Sequence, residues 1–328
     1  MALLEVNDLS VELQTHRGPA YAVRDASFSL EPGETLGLIG ESGSGKSITA
    51  MALLGLLPEN ARVTGSIVFE GRELVGLRER ELCELRGDRI GMIFQEPMTA
   101  LNPVHTVGRQ VAEPLRLHRG LSAADARKEA IALLDRVGIP DAGKRIDAYP
   151  HQFSGGQRQR IGIAMALACG PDLLIADEPT TALDVTIQKQ ILELIRGLVD
   201  ERGMALILIS HDLGVIAQSV SKMLVMYGGS VVESGPTTAV FAERAHPYTQ
   251  GLFAARPALG APRGLKLATI RGSVPDLLDL PRGCPFAGRC RFTIEACHAT
   301  RPPPTPMPHG HEVRCIRLGE AIAQEVPA

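Results

Sequence analysis

Apolar positions along the chain fall into short, distinct periods. Residues 3–13 alternate, with Leu4 and Val6 before Asn7-Asp8 and Leu9, Val11 and Leu13 after them, and a two-residue period predicts a strand. Pro32-Gly33 reads as a turn. Thr35–Ile39 is a short apolar run that suits a buried strand; it enters a Gly/Ser loop, Gly40–Gly45, followed by an apolar helix over Lys46–Leu57. Val63–Glu70 and Ile90–Phe94 read as further strands. From about residue 100 to 170 the period turns helical. Ser122 with Asp125 three residues on opens a helix to Val137, and Gly138 suits its C-terminal cap. Another helix starts at Ser154. Leu173–Ala176 and Ala205–Ile209 are continuous apolar runs, as expected of strands buried on both faces. Between them Ile187, Ile191, Leu194, Ile195, Leu198 and Val199 keep helical spacing. Gly228-Gly229, between Leu224–Tyr227 and Val231–Val232, predicts a hairpin. The pattern is that of an α/β core with a mostly parallel sheet, a helical insertion and a tail.

Composition sharpens this picture at one end. The chain has 328 residues, 45% hydrophobic and 22% charged, with a net charge of -3. That argues against disorder and gives no global attraction to nucleic acid. Polar residues interrupt every apolar stretch before the roughly 18–20 residues of a spanning helix, and the N-terminus lacks the pattern of a secretory signal. A soluble, cytosolic protein is expected. Prolines thicken from Pro257 onward, and four of the six cysteines lie between Cys284 and Cys315, so a boundary is expected near residue 255.

Two segments carry nucleotide chemistry. GESGSGKS, Gly40 to Ser47, matches G-x-x-x-x-G-K-[ST] between a predicted strand and a predicted helix. Gly40, Ser42, Gly43, Ser44 and Gly45 would wrap phosphate oxygens in backbone N–H groups at a helix N-terminus. Lys46 would reach the β and γ phosphates, and Ser47 would give its hydroxyl to Mg²⁺. LLIADEP, Leu173 to Pro179, delivers Asp177 and Glu178 at the C-terminal end of a buried strand, where open α/β sheets place ligands. Asp177 would orient Mg²⁺ and Glu178 would polarise an attacking water; taken alone, two acids there also suit a helix cap or a solvated turn.

FSGGQRQR, Phe153 to Arg160, narrows the class. With the two motifs above it resembles the ATP-binding subunits of ABC transporters, whose L-S-G-G-Q signature has Leu where this chain has Phe153. The order of further motifs is similar: Gln95 at a glutamine loop, Asp184 of TALD at a D-loop, His211 at a switch histidine. ESGSGKS, FQEPMTALNP, YPHQFSGGQ, ADEPTTALDVTIQ and HPYTQGL resemble the dipeptide/oligopeptide (peptide/nickel) importer ATPases, HPYTQGL at His246–Leu252 most particularly.

The resemblance implies a P-loop NTPase core with a mostly parallel sheet, an antiparallel β subdomain and a helical subdomain near 96–170, together spanning 1–255. A Cys-rich C-terminal region of the oligopeptide-transporter type would span 256–328. It implies ATP and Mg²⁺, the metal held by Ser47, Gln95 and Asp177, with Glu178, His211 and Gln95 catalytic. Tyr21 or His16 would stack on adenine from a loop before Pro32. Ser154, Gly155, Gly156, Gln157 and Asp184 would close the nucleotide site of a second ABC ATPase subunit, expected to be related but distinct. Two membrane permease subunits and an extracytoplasmic peptide-binding protein would complete an importer of di- or oligopeptides, the chain lying peripherally on the cytoplasmic face of the inner membrane. Nickel chelates, glutathione or haem are alternative cargoes. A non-transport ABC ATPase is a rival reading, disfavoured by the single core and closely spaced motifs.

The clustered cysteines run C-x5-C-x6-C-x17-C. Cytosolic disulfides are not expected, and the close pairs of zinc sites are missing. By spacing alone an iron–sulfur cluster, zinc or free thiols stay open. The resemblance implies a [4Fe-4S] cluster on Cys284, Cys290, Cys297 and Cys315. For zinc, His298, His309 and His311 are spare ligands, or simply surface histidines. Cys83 and Cys169 read as ordinary small residues.

Overall fold

The computed structural model describes residues 2–96, 100–181, 183–255 and 269–323. The boundary expected near residue 255 therefore lies at the edge of a segment outside the described residues. The chain forms two compact units, both discontinuous in sequence. One comprises Met1–Leu3, Leu30–Thr35 and Glu70–Ile209; the other comprises Leu4–Ser29, Leu36–Phe69 and Ser210–Ala328.

In the first unit Ile90–Ile93, Leu173–Asp177 and Ala205–Ile209 form a parallel ladder, Ile90 opposite Leu173 and Asp177 opposite Ile209. Every residue of the last two strands is buried, which explains their continuous apolar runs. The helical insertion holds Val107–Arg119, Ala123–Arg136, Ala142–Arg145 and Gly155–Ala166. The first of these packs on the second and the fourth. Ser122 accepts from the Asp125 amide, as its position foretold. Helix Val185–Arg202 turns Ile191, Ile195, Leu198 and Val199 inward.

In the second unit Leu4–Thr15 lies between Gly18–Leu30 and Ala61–Phe69, antiparallel to the latter with a bulge between Asn7 and Ser10. The long Gly18–Leu30 strand was not legible from alternation. Leu36–Ile39 pairs in parallel with Lys222–Tyr227, and the Gly228-Gly229 hairpin returns the chain as Ser230–Pro236. The helix expected over Lys46–Leu57 stops at Leu53. Gly55 takes φ +61 and the Leu56 amide closes back on the Met51 carbonyl, a left-handed C-terminal stop.

The Cys-bearing tail is built into this second unit. Glu312–Val313 adds a strand to Ser230–Pro236, with Glu233 opposite Val313, and so covers a sheet edge. Arg301 pairs with Asp25 at 2.6 Å and Arg17 with Asp279 at 2.6 Å. At the centre of the junction lies His311. The surface position expected for it is corrected by the structure: it is 1% exposed. Its Nε2 lies 2.8 Å from Glu233 and its Nδ1 3.1 Å from Glu243. Glu233 also accepts from the Ala245 and His246 amides. Burial alone would lower the His311 pKa, but the two carboxylates overcome it and the net shift is upward from 6.5.

A raised folded-state pKa fixes the sign of the pH dependence. The stabilisation from the His311 imidazolium is fully present below the ordinary histidine value and is lost as pH rises through the raised one. Denaturant titrations across that window should show wild-type stability falling as pH rises. His311→Gln should flatten the slope and cost about 3 kcal/mol at low pH; an unchanged slope in the variant would contradict this.

Candidate functional site

The second unit holds the phosphate-loop residues. The loop leaves the buried Leu36–Ile39 run and enters helix Lys46–Leu53, whose N-cap Gly45 has a left-handed backbone and no side-chain cap. Lys46 is 5% exposed. Its Nζ donates to the Gly40 carbonyl at 2.8 Å, the Glu41 carbonyl at 3.0 Å and Ser44 Oγ at 3.3 Å. The ammonium is thus held inside the ring of chain it closes. Neighbouring backbone walls the ring: a Cβ on Gly40 would lie 2.2 Å from the Met226 carbonyl oxygen, and one on Gly45 would lie 2.5 Å from that of Ala22. A loop of this shape, kept open by residues without side chains at a helix N-terminus, fits a phosphate chain.

Glu41 is held at three points. Its amide donates to Tyr248 Oη at 2.8 Å, its carbonyl receives Lys46, and its carboxylate meets Arg289 at 2.7 and 3.1 Å. Motif reading gave none of Glu41, Tyr248 or Arg289 a role, although Glu41 and Tyr248 lie within quoted motifs. Tyr248 is fully buried, and burial drives its phenol pKa upward. His246 caps the Pro247–Ala254 helix, Nδ1 accepting the Tyr248 amide at 3.1 Å, and burial lowers its pKa to about 4, so the ring is neutral.

His211 is exposed in this unit, just beyond the Ala205–Ile209 strand. Tyr21 lies in the Gly18–Leu30 strand rather than in a loop, 37% exposed, with the Arg24 guanidinium 4.4 Å from its ring centre. His16 is exposed at the preceding turn.

The first unit holds the remaining candidates. Asp177 ends its strand 5% exposed. Glu178 follows with φ +44, a left-handed conformation that is strained for a residue with a side chain. Its Oε2 accepts from Thr181 Oγ1 at 2.8 Å and from Gln95 Nε2 at 3.2 Å. The structure therefore brings Gln95 and Glu178 together and adds Thr181, which motif reading had missed. Ser154 caps helix Gly155–Ala166 in a reciprocal box with Gln157, while Phe153 is buried under the Arg145 guanidinium at 4.1 Å. Gly156 lets Ile187 approach, since a Cβ there would lie 3.0 Å from that side chain. Asp184 caps the Val185–Arg202 helix, Oδ1 accepting from the Ile187 amide at 3.0 Å.

Back in the second unit, Cys284, Cys290, Cys297 and Cys315 all line one cavity of about 20 Å³. Burial pushes the Cys284 thiol up to about 12, and the other three thiols add to the rise. Backbone amides two residues on oppose it at three sulfurs: Phe286 at Cys284, Phe292 at Cys290 and Arg317 at Cys315. Four thiols with amide donors are the right chemistry for a thiolate-bound metal or cluster. Yet among the described residues no three His, Cys, Asp or Glu side chains stand in a metal-holding arrangement. His311 is committed to its carboxylates, which removes it as a spare zinc ligand. Cys169 is buried and Cys83 exposed, and neither lines the cavity. Among the described residues no helix is long and apolar enough to cross a membrane.

Comparison with known proteins agrees with this geometry. Residues 23–181 match the ABC transporter family, and residues 232–297 match the oligopeptide/dipeptide transporter C-terminal region. A Brucella melitensis protein named as a peptide import ATP-binding protein is 50% identical, covering 98% of both chains. The oligopeptide transport ATP-binding protein OppD of Salmonella typhimurium is 54% identical over 92% of this chain and 89% of its own. The fold resembles a dimeric structure of the ATP-binding cassette MJ0796 in a post-hydrolysis state with ADP and Pi, with TM-score 0.64 and 28% identity, over 71% of this chain and 98% of that one.

The wall around the loop separates two of its glycines. Gly40→Ala should destabilise by about 3 kcal/mol, because its Cβ collides with backbone. Gly43→Ala, with φ +78 and nothing within 4 Å of the added Cβ, should cost only the left-handed penalty of about 1–2 kcal/mol. Denaturation midpoints rank the two, and equal losses would refute the wall.

Proposed function

The chain belongs to the ATP-binding proteins of ABC transporters, in the branch with an oligopeptide/dipeptide transporter C-terminal region, and from that premise we propose that it is the ATPase subunit powering import of di- or oligopeptides across the cytoplasmic membrane. The observation that carries the proposal is the preformed ring around Lys46, closed by its hydrogen bonds to Gly40, Glu41 and Ser44.

In this reading Gly40, Ser42, Gly43, Ser44 and Gly45 wrap the phosphates. Lys46 turns from loop carbonyls to the β and γ oxygens, a short exchange of partners for a group already desolvated. Ser47, Gln95 and Asp177 would hold Mg²⁺, which would neutralise charge on the phosphate oxygens. Glu178 orients and polarises the attacking water, with Thr181 and Gln95 fixing its carboxylate. His211 contacts the γ-phosphate, and Tyr21 stacks on adenine. Ser154, Gly155, Gly156, Gln157 and Asp184 serve the nucleotide of a second ATPase subunit, related but distinct, in a head-to-tail dimer. The dimeric form of the MJ0796 cassette supports the pairing of two such subunits.

The transporter would also contain two membrane permease subunits and an extracytoplasmic peptide-binding protein, with this chain peripheral on the inner membrane's cytoplasmic face. Val104 and Leu117, 74% and 72% exposed in the helical insertion, are apolar surface of the kind a membrane subunit would cover.

The domain reading stays as proposed: an ATP-binding domain over 1–255 and a C-terminal region over 256–328. There Cys284, Cys290, Cys297 and Cys315 would hold a [4Fe-4S] cluster, a reading supported by the cavity that all four line and by amide donors at three of them, and one that requires the thiols to draw together from the arrangement described above. The cluster would supply covalent cross-links to a segment poor in apolar core.

Two measurements test these assignments. Glu178→Gln should keep ADP affinity, lower ATP turnover by about 10²–10⁴-fold, and accumulate as an ATP-bound dimer; wild-type turnover would remove Glu178 from its role. Protein purified without oxygen should be brown and contain iron and sulfide. Colourless protein with one zinc per chain would replace the cluster by zinc.

A further inference from the structure

The grip on Glu41 comes from the tail, far away in sequence. Arg289, separated from Glu41 by 248 positions, meets its carboxylate with both terminal nitrogens. The Arg289 side chain is 6% exposed and that of Glu41 29%, so the guanidinium is shielded from solvent and the carboxylate partly so, unlike the exposed ion pairs that contribute little. The guanidinium is itself fixed. Its Nε donates to the Arg271 carbonyl at 2.8 Å, a terminal nitrogen donates to the Gly272 carbonyl at 3.2 Å, and the other approaches Tyr227 Oη at 3.4 Å. Burial alone would lower its pKa, but Glu41 and Tyr227 more than reverse this, so the charge is permanent. A planar fork with several donors is what such a site needs, and lysine could not replace it.

The same stretch of tail makes a second contact beside the loop. Phe286 packs edge-on against Tyr227 at 5.1 Å and lies 5.3 Å from Tyr248. Tyr248 in turn accepts the Glu41 amide. One residue of the phosphate loop is thus held at its carboxylate by Arg289 and at its amide through a tyrosine that Phe286 buttresses. Its carbonyl remains to receive Lys46.

We propose that Arg289 is a positioning residue for nucleotide binding: through the half-buried pair with Glu41, the C-terminal region sets the shape of the phosphate loop and so the affinity for the phosphate chain. This rests on the nucleotide-site reading above. Arg289 does not touch the nucleotide; it acts by keeping the Glu41 peptide, and with it the carbonyl that stores Lys46, in one orientation. The tail is then part of the ATP site, and the segment bearing Cys290 is joined covalently to the residue that tunes it.

The test is a double-mutant cycle on the full chain, with ADP affinity by titration calorimetry as the readout and thermal unfolding checking that each variant folds. Arg289→Ala and Glu41→Gln should each weaken ADP binding about tenfold, and the double variant should be no weaker than either alone, because both remove one interaction. Arg289→Lys should recover only part of the loss. In ATPase assays Arg289→Ala should raise KM more than it lowers kcat, which a general loss of folded protein would not do. Unchanged ADP affinity in the single variants, or losses that multiply in the double variant, would overturn the proposal while leaving the nucleotide site intact. Failure of the wild type to bind ADP would overturn both.

Discussion

A lysine ammonium taken out of water must be given oxygens, and the loop around Lys46 is organised by that requirement. At 5% exposure the ion would cost several kcal/mol if left bare. The Gly40 and Glu41 carbonyls and Ser44 Oγ turn inward to meet it, which bends the chain into a ring. The bend brings backbone so close to Met226 and Ala22 that Gly40 and Gly45 cannot carry side chains. Strand Lys222–Tyr227, the Gly228-Gly229 turn and the Gly18–Leu30 strand are therefore part of the site although none bears a motif. The Ser44 carbonyl accepts from the Gly229 amide at 3.1 Å, and the Gly229 carbonyl accepts from Arg24 at 2.7 Å.

The tail extends this dependence. It enters the second unit as a paired strand at Glu312–Val313, as a buried imidazole between Glu233 and Glu243, and as an arginine on Glu41. These contacts place charged side chains where water is excluded, and each needs its partner to offset desolvation. The Cys cavity lies against the same packing, lined also by His246 and Phe286. In the other unit, the same economy of polar groups holds Glu178: a strained backbone and two side-chain donors aim one carboxylate.

Much of this was legible in the sequence, because phosphate chemistry is written locally. GESGSGKS, LLIADEP and the Ser154–Gln157 box are contiguous, and their strand–loop–helix context follows from apolar periodicity. The buried strands read correctly because burial on both faces leaves no polar position. What escaped is non-local or conformational. Alternation could not reveal Gly18–Leu30, whose buried positions are mostly alanine (Ala20, Ala22, Ala26) and break the two-residue period at the adjacent pair Ala22-Val23. The early end of the helix at Leu53 depends on Gly55 adopting a left-handed backbone, which competes with an apolar run that looks helical to Leu57. His311 was expected at the surface because a lone histidine gives no sign of two carboxylates waiting on other elements. Arg289 was unreadable for the same reason: its meaning lies in Glu41. Asp184, named for its place in a motif, is seen here as a helix cap, and its role toward a second subunit belongs to the assembly.

In the proposed function, ATP bound at the Lys46 ring drives peptide entry. The most direct measurement is uptake of a labelled oligopeptide by cells in which this chain is replaced by Lys46→Ala, alongside wild type. Uptake is expected with the wild type and its loss with the variant at equal expression. Uptake that persists undiminished with Lys46→Ala would contradict it.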